Sequence, residues 1–180
     1  FVLSNDGLVF EHNGRAFEDR DVYGITDIGE GTKSGEADQI GRFGIGFKAV
    51  FAFTETPRIW SPTYSFEISE LVLPSALETD PRLGAQTRFE FPFNNSKKSP
   101  EEAHEEVRQG LEELKGETLL FLSHIEAIHW QVEGRGGGLV SRVTHSDHHV
   151  ELVKQRKEKA TESAHFLRFE EPVASLPSQK

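Results

Sequence analysis

The sequence contains no cysteine and no methionine. Without cysteine there can be neither a disulfide framework nor a thiolate metal site. The core must therefore hold by packing, and any metal must be held by His, Asp or Glu. A reducing compartment is compatible with this, and the cytoplasm is the expected location. Without methionine, even at position 1, the 180 residues are expected to be a processed piece or fragment of a longer chain. Long apolar runs are also missing: "TLLFL" falls far short of the roughly 20 residues that a membrane helix needs. The opening "FVLSNDG" lacks the basic flank and cleavage pattern of a secretory leader. There is no basic tract, and 30 acidic residues outweigh 20 basic ones for a net charge of −10. Nucleic acid and anionic membrane are thus poor partners. Tyr and Trp are scarce, at two each, so the 14 Phe are expected to fill the core.

The length suits one domain, long enough to bury a core unaided. "FVLS" and "LVFEH" are short β-type runs around "NDG", a hairpin signal. "FEDRDVYGITDIG", 17–29, reads as a short helix with acids in its first turn. "FGIGFKAVFAFT", 43–54, reads as a buried three-turn helix, and "RIWS", "YSFEIS" and "ELVLP" read as strands. "TRFEFPF", 87–93, alternates as a strand with one buried face. "SPEEAHEEVRQGLEELK", 99–115, opens on a Ser N-cap and a Pro and is rich in acids, the pattern of a helix with one solvated face. "TLLFLSHIEAIHWQV" reads as continuing to a strand that ends near Val132, "EGRGGG" as a loop, and the remainder as strands around the charged "KQRKEKATESA". Trp60 and Trp130 are expected in the core. Residues 1–170 are expected to form the domain and 171–180 a linker or frayed end.

The chemistry concentrates in "QIGRFGIGFKAVFAF", 39–53, where Gly41, Gly44 and Gly46 precede the apolar helix. Glycine costs chain entropy, so such a cluster serves either close packing or the approach of bare backbone to a ligand. Free N–H groups at a helix start form an anion site. This is not a Walker loop, because Lys48 has no Gly before it and no Ser or Thr after it. Phosphate binding and a packing cluster both remain open on these residues alone.

"HNGRAF", "IGEGTK" and "IGRFGIGFKAVFAFT", in that order, resemble the ATP-binding domain of the GHKL superfamily: gyrase B subunit, the large heat-shock chaperone, sensor histidine kinases and MutL. The sacsin-like domains of that superfamily are the nearer likeness, with "RIWSPTYSFEI", "LVLP" and "TLLFLSHIEAIHW" similar to their downstream part. The resemblance implies an α+β fold, the two-layer α/β sandwich of Bergerat type, with a mixed, largely antiparallel sheet and helices on one face. It also implies ATP and Mg²⁺ as cofactors, bound between helices and sheet under a lid. Carried over by position, Asn13 and Gly14 form the turn beside the adenine, with His12 where the family usually has an Asp. Gly29, Gly31, Thr32 and Lys33 belong to the lid. Gly41, Gly44, Ile45, Gly46 and Phe47 form the box around the phosphates, and Thr87 helps read the adenine.

The chain departs from the family in two respects. His12 replaces a carboxylate acceptor, and a neutral His or Asn13 Oδ1 would have to accept the adenine amino proton. The family's water-activating Glu and Mg²⁺-holding Asn lie on a helix before the first strand. Neither role falls on a residue of this sequence, with Glu11 and Asp6 too late in the pattern, so ATPase activity is expected only with such a helix. The resemblance implies membership of a larger multidomain or dimeric protein. The alternative is a non-catalytic interaction module that keeps the fold and binds nucleotide weakly or not at all.

"THSDHH" would place His145, Asp147 and His149 on one face of a strand, where alternate positions can converge on a metal. A solvated polar edge is the commoner outcome of such a run, and no metal site is assigned. His124 and His129 flank an apolar run and are expected to be partly buried. No Ser-His-Asp arrangement is assignable.

Overall fold

The structure, a computed structural model, describes residues 1–26, 45–122, 124–157 and 159–169. These residues are mixed α/β, with ten strands paired almost wholly antiparallel and few helices. They fall into two compact units, Phe1–Glu112 with Gln131–Arg135, and Glu113–Trp130 with Gly136–Lys180.

The first unit opens with the expected hairpin, β1 (Val2–Ser4) and β2 (Gly7–His12), in which Ser4 pairs with Gly7. The turn is Asn5-Asp6. Gly7 lies inside the strand, where an added Cβ would meet the Phe91 carbonyl oxygen at 2.7 Å. α1 (Asp19–Thr26) follows, and the described part of the apolar stretch forms only a single turn, α2 (Ile45–Lys48), continued as a 3-10 turn over Ala49–Ala52. β3 (Arg58–Trp60) and β4 (Ser65–Ser69) occupy their expected places. "ELVLP" does not begin a strand. Glu70 and Leu71 both carry positive φ, at 50° and 71°, and turn the chain into β5 (Leu73–Ala76).

β6 (Thr87–Pro92) alternates buried and half-buried positions as its sequence dictates. It pairs with β2 on one side and β3 on the other, both antiparallel. α3 (Pro100–Glu113) begins with a capping box. The Glu102 N–H donates to Ser99 Oγ at 3.2 Å, and the Ser99 N–H donates to Glu102 Oε2 at 3.0 Å.

The core of this unit is Ile59, Phe66, Ile68, Phe89 and Phe91, with Phe10, Phe17, Val22, Ile25, Phe47, Val50 and Phe51 packed against it. Phe89 and Phe91 have no other way to leave water, because alternation puts both on the face that α1 and α2 cover. Each such side chain contributes about 1.5–3 kcal/mol on burial.

In the second unit "TLLFL" is not strand but one helical turn, α4 (Thr118–Phe121), with Leu119 buried. β7 (Ala127–Val132) leads through a turn at Gly134 into β8 (Gly136–Ser146). The last two residues of β7, Gln131 and Val132, belong to the first unit and pair in parallel with Val2 and Leu3. β9 (His149–Arg156) and β10 (Glu162–Leu167) complete an antiparallel run from β8. Parts of "KQRKEKATESA" are therefore strand. Trp130, Val140, Val150 and Leu152 are buried in this unit. Trp60 in the first unit is only half-buried, its indole N–H donating to the Glu78 carbonyl at 3.1 Å. His124 and His129 are exposed rather than partly buried.

Candidate functional site

Antiparallel pairing of β2 with β6 sets His12 directly opposite Thr87. Both lie on the core-facing side, at the end of the row that runs through Phe10 and Phe89. Two residues 75 positions apart, each assigned to the adenine by resemblance, are thus side by side. The His12 ring lies 5.7 Å from that of Phe10 and 5.9 Å from that of Phe89, centroid to centroid.

His12 is held by the turn that follows it. The Gly14 N–H donates to His12 Nδ1 at 3.0 Å. An added Cβ at Gly14 would meet that same Nδ1 at 3.0 Å, so glycine permits the tight return. Half-burial pushes the imidazole pKa below its ordinary value. The neutral ring has one acceptor and one donor nitrogen. With Nδ1 accepting from Gly14, the proton sits on Nε2. His12 therefore offers a donor where the family pattern offers a carboxylate acceptor. Asn13, exposed in the turn, still carries an acceptor oxygen.

Thr87 is fully buried, and its hydroxyl donates to Ser61 Oγ at 3.3 Å. Ser61 Oγ also accepts the Phe17 N–H at 2.9 Å, which ties the chain entering α1 to the sheet. Ser61 was not singled out in the sequence. It follows a short strand in "RIWSPT", and only pairing of β3 with β6 brings it to Thr87. α1 is anchored further by the Tyr64 hydroxyl, which donates to Asp19, and by Arg15, bidentate on Asp21 at 2.6 Å.

Of the glycine box, Ile45 opens α2, and Gly46 and Phe47 lie within it. Gly46 is exposed, and an added Cβ there would have no neighbour within 4 Å. The Phe47 ring packs 6.3 Å from Phe89 and 6.4 Å from Phe91, so its side chain serves the core. Phe89 touches both His12 and Phe47 and so joins the two halves of the candidate site. Lys48 Nζ donates to the Leu71 carbonyl at 2.8 Å. Gly29, Gly31, Thr32, Lys33, Gly41 and Gly44 lie outside the described residues. Glu11 faces the other side of the sheet from His12 and lies 3.6 Å from Arg88. Asp6 is in the turn at the far end of β2.

The opposite face of the first unit carries an open groove of about 490 Å³ lined by Arg58, Trp60, Asp80, Arg82, Arg88 and Glu90. Its charges neutralise one another: Arg58 pairs with Glu67 at 2.7 Å, Arg82 with Asp80 at 2.8 Å, and Arg88 with Glu90 at 3.2 Å. The Arg82 guanidinium holds the Asp80 carboxyl down to about 2.

Residues 5–74 match the family model of the Sacsin domain. Over 72 residues, 39% of this chain and 3% of the relative, the sequence is 38% identical to the protein NO VEIN of Arabidopsis thaliana. Over 53 residues, 29% of this chain and 1% of the relative, it is 42% identical to Sacsin of Homo sapiens. The matching segments thus span only a few per cent of these large relatives. No solved structure matches the chain. Among the described residues no helix is long and apolar enough to cross a membrane.

Proposed function

We propose that the first unit is a nucleotide-binding module of the sacsin-like type, part of a larger protein, with the Bergerat-type arrangement and with ATP and Mg²⁺ as its ligands. The observation that carries this reading is the register of β2 on β6, which pairs His12 with Thr87 on the helix-covered face. The match of residues 5–74 to the Sacsin domain supports it independently. In this reading the base sits against Phe89, between the His12 turn and Thr87, and the backbone around Gly46 faces the phosphates. Thr87 and Asn13 orient the base. Backbone N–H groups bind phosphate oxygens without net positive charge, as an acidic protein requires. Bound Mg²⁺ would supply charge neutralisation between phosphates. No described residue is assigned to hold it.

Calorimetric titration with ATP, with and without Mg²⁺, tests the proposal. Saturable binding that weakens in Thr87→Val supports it, and no heat up to millimolar nucleotide refutes it.

One observation favours the second reading, an interaction module with little nucleotide affinity: His12 spends its acceptor on Gly14. His12→Asp restores a carboxylate at that point. If adenine amino recognition is what the chain lacks, His12→Asp gains ATP affinity by tenfold or more, the worth of one charge-assisted hydrogen bond.

A further inference from the structure

In the second unit, β8, β9 and β10 bring three histidines and a glutamate onto one exposed face. His165 pairs directly with Glu151 across β10 and β9, so both side chains leave the same side of the sheet. His149, two residues from Glu151, shares that side. His145 is the unpaired residue of a bulge between Thr144 and Ser146. A bulge of this kind re-aims a side chain, and the His145 ring lies stacked on that of His149 at 4.8 Å. His145 Nε2 is 2.8 Å from Glu151 Oε2, and His165 Nε2 is 3.9 Å from Glu151 Oε1. One ligand atom from each of His145, Glu151 and His165 lies within 4.8 Å of the other two.

The sequence pointed at His145, Asp147 and His149 and missed the rest. Asp147 and His148 form the turn between β8 and β9, and His148 Nδ1 lies 3.1 Å from the Arg168 carbonyl instead. Glu151 and His165 join the group only through strand register.

We propose that His145, Glu151 and His165 bind a zinc-class divalent transition-metal ion, with His149 and Ser163 orienting the ligands. Two imidazoles and a carboxylate are a nitrogen- and oxygen-donor set that suits zinc and its first-row neighbours. Bonds near 2.0–2.2 Å place tetrahedral donors about 3.3 Å apart. His145 lies 2.8 Å from Glu151 Oε2 and His165 3.9 Å from Oε1, and with all three ligand atoms within 4.8 Å of one another the widest gap must close by at most about 1.5 Å, for which these exposed and half-exposed side chains have room.

The outer contacts match what such a site needs. His165 Nδ1 is 3.0 Å from His149 Nε2. If Nε2 of His165 takes the metal, its proton belongs on Nδ1 and is donated to His149, which fixes tautomer and ring together. The Ser163 hydroxyl donates to Glu151 Oε1 at 2.5 Å and holds the carboxylate from the other side. Three protein ligands leave at least one position for water.

The test uses the whole 180-residue chain, stripped with EDTA and titrated with ZnCl₂ against a chromophoric chelator, and separately with CoCl₂ to read the ligand-field spectrum. The expected result is one ion per chain and intense visible bands of four-coordinate cobalt. His165→Ala and Glu151→Gln should each lower affinity at least 100-fold. His149→Ala should lower it 10–100-fold, as loss of an orienting partner does. His124→Ala, outside the cluster, should change nothing. Sub-stoichiometric binding, or affinity unchanged in His165→Ala and Glu151→Gln, overturns the site. Should a variant fail to fold, imidazole ¹⁵N spectra of the unmodified chain decide: zinc must shift Nε2 of His145 and His165, and uniform or absent shifts refute the assignment.

Discussion

A single methyl group at position 138 should disable the second unit. An added Cβ at Gly138 would lie 2.2 Å from Cζ2 of Trp130, 2.6 Å from Cη2 and 2.8 Å from Cε2. Ordinary contact begins near 3.4 Å, so the indole must retreat by about 1.2 Å. It has nowhere to go, being a rigid ring that is 2% exposed. Nor can the backbone yield easily, because Gly138 is paired with Arg156 inside the β8–β9 ladder. Overpacking of this kind costs about 1–3 kcal/mol, and a rigid aromatic met face-on belongs at the upper end. Gly138→Ala should therefore destabilise by about 3 kcal/mol. The assay is urea unfolding followed by tryptophan emission in a Trp60→Phe background, so that only Trp130 reports. The midpoint should fall, and the folded emission should shift to the red as the indole is pushed toward water. Trp130→Leu, placed on top of Gly138→Ala, should recover part of the loss by vacating the ring. An unchanged midpoint and emission in Gly138→Ala would show that the indole does not lie across Gly138, and the packing described for this unit would be wrong.

Three further outcomes are expected. Gly46→Val should leave circular dichroism unchanged and stability within about 0.5 kcal/mol, since an added Cβ meets nothing within 4 Å. It should lower ATP affinity at least tenfold by calorimetry, and an unchanged affinity would remove Gly46 from the phosphate site. Burial lowers the His12 pKa, so the unfolded chain binds the extra proton first. Stability should accordingly decline as pH falls below about 6.5 toward the folded pKa, and that slope should vanish in His12→Gln, as read from denaturation midpoints at several pH values. Ser99→Ala removes one half of the capping box and should cost about 1 kcal/mol, seen as faster amide exchange in the first turn of α3.

What the sequence made legible was whatever is encoded locally. "TRFEFPF" alternates, and β6 follows it residue by residue. "SPEE" carries its own cap, and α3 begins there. The first hairpin was visible from its turn residues, although glycine proved to serve a close backbone approach rather than the turn itself. The failures share a cause. "TLLFL" is apolar after its threonine, and so short an apolar run suits a buried strand or a buried helical turn equally. Glu70 and Leu71 take positive φ without a glycine to announce it. "THSDHH" reads as one strand unless the turn at Asp147-His148 is known, and without that turn neither Glu151 nor His165 can be placed near His145. Ser61 likewise acquires its role only from the neighbour that strand pairing gives it. Chemistry assembled across strands is written in the register, which no single window of sequence contains.

The hydrogen bonds at the His12–Thr87 end show what a ligand there must contend with. Thr87 has spent its proton on Ser61, and Ser61 Oγ receives a second bond from the Phe17 N–H. Ser61 is itself only 5% exposed, and Thr87 retains lone pairs but no exposed surface. His12 presents Nε2–H, because Gly14 occupies its other nitrogen. One accessible donor, a hidden acceptor and the neighbouring exposed Asn13 therefore mark this end. In the nucleotide complex proposed above, a base that brings both an acceptor and an amino donor, as adenine does, would meet His12 with the first. For the second, Asn13 Oδ1 would be the accessible acceptor, because Thr87 is fully buried. A buried polar atom left unmatched costs more than a formed bond returns. On the proposed reading, affinity at this end would depend on how the amino group is met, and that makes position 12 the most informative place to intervene.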